Sequence, residues 1–144
     1  MTNLEKIKDF IDKEGIPVVQ MELEEGCAMV VKRAGLALIA LDKSQINSPE
    51  EEYVVLLHEM GHCKENAMYT THVAREEHKR KEFRADKWAY LYALPFEEIQ
   101  KHVDSGLTSD EEIAEATGLT AGFVRNAVEY YALYGKCIQR NEWA

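Results

Sequence analysis

Leu4, Ile7, Phe10 and Ile11 recur at helical spacing, so residues 3–14 are expected to form an amphipathic helix, closed by Gly15 with Pro17 just beyond. From Pro17 to Glu24 the period changes to two: Val19, Met21 and Leu23 alternate with Val18, Gln20, Glu22 and Glu24, which predicts a strand. Glu25-Gly26 reads as a hairpin turn, residues 27–32 as a second strand, Ala34-Gly35 as another turn and residues 36–41 as a third strand. Together these predict a small antiparallel sheet whose apolar face packs on a helix. After a loop over 42–49, Ser48 and Glu51 form a capping-box pair ahead of the apolar run Tyr53-Val54-Val55-Leu56-Leu57. Ala85, Trp88, Ala89 and Tyr92 mark a further helix, running to Leu94 and stopped by Pro95. Residues 64–71 lack strong periodicity and read as the end of the first of these helices and a loop, and 75–81 as the solvated opening turns of the second.

Residues 108–124 have the spacing of a helix-turn-helix: Ile113 and Ala114 inside the first helix, Gly118 at the turn and Val124 anchoring the second. Phe123, Val128, Tyr131, Leu133 and Tyr134 supply apolar surface to dock this tail. The fold class expected is α+β in one domain, 1–144, made of an N-terminal helix and sheet (1–49), a helical pair (50–95) and a helical tail (96–144).

The length, 144 residues, suits one domain with a core of its own. Three cysteines, Cys27, Cys63 and Cys137, are odd in number and far apart, which fits a reducing compartment. The charged, amphipathic start gives no expectation of a signal peptide, no apolar run is long enough for a bilayer, and a cytoplasmic location is expected. A net charge of -9 disfavours direct nucleic-acid binding, and in the would-be recognition helix only Arg125 and Asn126 offer contacts, beside Asp110, Glu111, Glu112, Glu115 and Glu129. The same charge suits a basic protein partner.

The chemistry is concentrated at His58-Glu59-Met60-Gly61-His62, an HExxH pattern. On a helix, positions four apart stack on one face, so both imidazoles can reach one metal ion. Glu59 stands one position round from His58, where its carboxylate can take a proton from a water that the metal activates. Catalytic zinc takes three protein ligands. The metzincin arrangement would need Gly and His where this chain has Glu65 and Met68, so it is excluded. Glu82 is the favoured third ligand, because Asp86 lies one turn on and can accept a hydrogen bond from a ligand imidazole. Glu76, Glu77, His72 and His78 compete for that role, and Cys63 is better read as a small buried side chain, since it points about 100° away from His62. Tyr69, His72 and His78 are candidate stabilisers of a tetrahedral intermediate.

Leu57-His58-Glu59-Met60-Gly61-His62, then Glu82-Phe83-Arg84-Ala85-Asp86-Lys87-Trp88-Ala89, then Leu94-Pro95, resemble the ImmA/IrrE family of zinc metallopeptidases. The resemblance extends from about residue 16 to residue 131, with Met60 where the family usually has leucine. It implies a gluzincin-type site in which His58, His62 and Glu82 bind zinc and Glu59 is catalytic. It also implies a phage or mobile-element setting and a helix-turn-helix repressor as the protein cleaved; some members instead regulate stress responses. The readings set against it are a transcription regulator working through the C-terminal helices, and a protein-binding module whose metal site is structural or inactive.

Overall fold

The computed structural model describes residues 1–65 and 75–139. Among these the chain is α+β, with six α-helices and one three-stranded mixed sheet. It divides into two compact units, Met1–Ala89 and Tyr90–Ala144.

In the first unit, helix α1 (Asn3–Lys13) opens on a full capping box. Thr2 accepts from the Glu5 N–H at 3.1 Å, and the Glu5 side chain reaches back to the Thr2 N–H. Its buried stripe is Ile7 and Ile11, one turn apart, and it packs on α2 (Pro49–Lys64). The sheet contains β1 (Val18–Gln20), β2 (Ala28–Arg33) and β3 (Leu36–Leu41), in the order β1-β3-β2. β2 and β3 form the expected hairpin, antiparallel with Val30 opposite Ile39. Ala34 and Gly35 turn it with φ of 52° and 80°, the paired left-handed conformation that matches strand twist.

The expected all-antiparallel sheet is not what forms. β1 lies parallel to β3, with Val19 beside Ala40, and it ends at Gln20 rather than Glu24. The cause is Asp42, at the end of β3. Its buried carboxylate accepts from the Leu23 N–H at 3.0 Å, and Gln45 donates both to Asp42 (2.8 Å) and to the Leu23 carbonyl (3.2 Å). This bolt pulls residues 21–27 out of strand geometry and carries the chain past the end of β3, so β2 meets β3 on the side away from β1. Glu25-Gly26 therefore makes no hairpin.

A 3₁₀ turn, Lys43–Gln45, leads to α2. Ser48 accepts from the Glu51 N–H (3.1 Å), but the Glu51 carboxylate accepts from the Asn47 N–H (3.0 Å), one residue outside the usual box. Pro49 occupies the first turn, where its missing N–H costs nothing, and Glu50, Glu51 and Glu52 complement the helix dipole. Glu52 is buried and ion-paired to Lys8 of α1 at 2.8 Å. Leu56, Leu57 and Met60 join Ile7, Ile11, Ile39 and Leu41 in a core from which water is excluded; each such side chain contributes roughly 1.5–3 kcal/mol relative to exposure. Helix α2 also lies against β2.

Helix α3 (Arg75–Ala93) ends just before Pro95. In the second unit, α4 (Phe96–Asp104) buries Ile99 and Val103, a helical spacing that the sequence already carried behind the proline stop. Helices α5 (Asp110–Thr117) and α6 (Ala121–Leu133) follow. Gly118 closes α5 at φ 75°, a conformation costly for any residue with a Cβ, and Ser109 and Thr120 cap the two N-termini. Ile113, Leu119, Phe123, Val124 and Ala127 are buried, and Tyr131 donates its hydroxyl to the Leu94 carbonyl at 2.8 Å.

Candidate metal centre

Helices α2 and α3 supply every side chain of the candidate site, all within the first unit. His58 and His62 lie one turn apart on α2, their rings edge-on with centroids 4.7 Å apart. Their Nε2 atoms are separated by 3.1 Å. Glu82 reaches from α3 to both: Oε2 is 2.7 Å from His58 Nε2, and Oε1 is 3.2 Å from His62 Nε2. The three side chains can hold a metal ion, with their donor atoms all within 4.8 Å of one another. Donors of a tetrahedral zinc site, with bonds near 2.0–2.1 Å, lie about 3.4 Å apart. Two of the three separations approach that value, and the third is an ordinary hydrogen-bond length that a metal would open.

Asp86, one turn beyond Glu82, contacts His58 Nδ1 at 2.7 Å. A carboxylate only accepts, so Nδ1 carries a proton, and Nε2 is the nitrogen aimed at the centre. Burial opposes a charge on His58, yet the carboxylates of Asp86 and Glu82 outweigh it and raise its pKa to about 10. The cradle is thus electrostatically built for positive charge, and the donor set of two imidazoles and a carboxylate suits zinc.

Glu59 is buried beside this group. Burial pushes its carboxyl up, against the opposing pull of His58 and His62. The main-chain N–H of Val30, in the strand against which α2 lies, pulls the same carboxyl down by a smaller amount. Cys63, half-buried, stands outside the donor group; burial, with the charge of Glu59, pushes its thiol up to about 11 and keeps it protonated.

The helix pair can approach this closely because of Gly61, whose role the sequence reading missed. A Cβ there would fall within 2.9 Å of the Cα and carbonyl carbon of Ala85, and closer still to its oxygen. The sequence signal was a glycine inside a helix, between Met60 and the second histidine, which is worth about 1 kcal/mol less than alanine unless something must come close. Of the remaining candidates, Tyr69, His72 and the side chains of Glu76, Glu77 and His78 lie outside the described residues. No helix among the described residues is long and apolar enough to cross a membrane.

No family model, no curated protein and no solved structure matches this chain.

Proposed function

We propose that this chain is a zinc-dependent endopeptidase of the ImmA/IrrE kind, acting on an intracellular protein, with a helix-turn-helix repressor of a phage or mobile element as the favoured substrate. The observation that carries this reading is the convergence of His58, His62 and Glu82 on one point, with the buried carboxylate of Glu59 beside it. His58, His62 and Glu82 would hold the zinc. When bound, zinc supplies a Lewis acid that lowers the pKa of a water molecule and polarises the scissile carbonyl. Glu59 takes the proton from the attacking water and delivers it to the leaving amine. Its position, out of bulk water, suits a base that must accept and then release one proton. Asp86 keeps His58 in the tautomer that presents Nε2. Substrate identity rests on the sequence resemblance alone. The α5–α6 pair serves in this reading as a structural or substrate-binding element, since the first turn of α5 carries Asp110, Glu111 and Glu112, which repel phosphate.

The test is to incubate the purified protein with zinc and a repressor encoded beside its gene, with and without chelator. Discrete fragments that disappear with chelator, and with the Glu59→Gln variant, are expected. An intact repressor in every arm, or undiminished cleavage by Glu59→Gln, would overturn the reading.

A further inference from the structure

Helix α3 has a second face. At about 100° per residue, Lys79, Arg80, Phe83, Arg84 and Lys87 fall within one arc of roughly 140°, while Glu82, Ala85, Asp86 and Ala89 form the metal-bearing side. Lys79, Arg80, Phe83, Arg84 and Lys87 are all exposed, with Phe83 at 41%. Residues 79–87 carry five of the chain's 17 cations, in a protein whose net charge is -9. Among the described residues, Lys79, Arg80, Arg84 and Lys87 make no ion pair, unlike Lys8 and Lys13, which are matched to carboxylates at 2.8 and 2.9 Å. Lys79, Arg80, Phe83 and Arg84 also line a depression of about 610 Å³. An unmatched cationic stripe around an exposed aromatic ring, on an otherwise acidic protein, is not needed for the fold.

We infer that this face of α3 docks an acidic, leucine- or aromatic-bearing segment of a partner protein. Charge complementarity sets the sign of the partner, and Phe83 with its depression requires an apolar anchor beside those charges. The stripe is about 12 Å long, a few residues of extended peptide. That length favours a short acidic segment over nucleic acid, whose phosphates continue past the stripe and into the field of the remaining, strongly acidic surface. Asp86 and Phe83 stand only about 60° apart around the helix, so a segment seated here would lie beside the metal centre. The inference goes beyond the peptidase reading and holds without it; with it, the docked segment belongs to the substrate.

The probe is a short fluorescein-labelled peptide alternating glutamate and leucine, titrated with the full-length protein and read by anisotropy. Comparison probes replace glutamate by lysine, or leucine by serine, and a single-stranded oligothymidine of equal length tests the nucleic-acid alternative. Binding of the glutamate–leucine peptide that weakens with salt is expected. Arg80→Glu/Arg84→Glu should weaken it by at least about tenfold, and Phe83→Ala by about threefold to tenfold. Helix content by circular dichroism checks each variant, and Lys79→Glu/Lys87→Glu replaces the first pair if that pair fails to fold. Unchanged affinity in a folded charge-reversal variant overturns the inference, as does no binding of the peptide or tighter binding of oligothymidine.

Discussion

Gly61 of α2 lies directly against the backbone of Ala85 on α3, with no room between them for a methyl group. This contact sets how far Glu82, three residues before Ala85, can reach toward His58 and His62. Gly61→Ala should therefore act on the metal centre without touching a ligand. Alanine is the better helix former by about 1 kcal/mol, but the group it meets is main chain and has little freedom to move. Overpacking of this kind costs about 1–3 kcal/mol. The expected result is a lower melting temperature together with weaker zinc affinity, read by competition with a chromophoric chelator. Wild-type affinity in Gly61→Ala would show that the helix spacing does not govern the site.

Asp86→Asn tests the carboxylate behind His58. The amide keeps the shape but can present its NH₂ group to Nδ1, which favours the wrong tautomer. Zinc affinity should fall by about 10–100-fold, with the stoichiometry still one ion per chain at saturation. Glu82→Gln, which alters a donor atom itself, should lower affinity further, and an order of effects reversed between the two would exchange their roles.

Asp42 gives the fold a defined response to acid. Hydrogen bonds from Ser44, Gln45 and the Leu23 N–H hold its carboxyl down at about 2. A depressed carboxyl pKa contributes stability that is fully present above the unfolded value, near 4, and is lost as pH falls through the folded one. The melting temperature of wild type should thus exceed that of Asp42→Asn by a constant margin above about pH 4, and the margin should close between pH 4 and about 2. A margin that widened on acidification would contradict the assignment.

In the second unit, Tyr131→Phe removes a buried hydroxyl that donates to the Leu94 carbonyl at 2.8 Å. The ring, which packs edge-on to Phe96, is retained. The expected cost is about 1 kcal/mol, the usual net value of one such bond, seen in chemical denaturation. A variant as stable as wild type would mean that water satisfies the carbonyl.

What the sequence made legible was local. Ser48 before a proline and three glutamates, Pro95 behind Leu94, and Gly118 between two apolar helices each act within a few residues, and each marks an element boundary. The placing of His58 and His62 on one face follows from helical geometry alone. The direction of β1 was not legible, because it depends on a bond between Leu23 and Asp42, 19 residues apart, that alternation of side chains does not encode. The significance of Gly61 was hidden for the same reason: the partner that forbids a side chain lies on another helix, at Ala85. The pairing of Glu82 with Asp86 was readable because its two members sit one turn apart.

β2 is an edge strand, and helix α2, which carries Glu59, lies against it. A neighbouring chain that tried to extend the sheet along this border would have to fit past that helix first, so the packing of α2 narrows access to the edge.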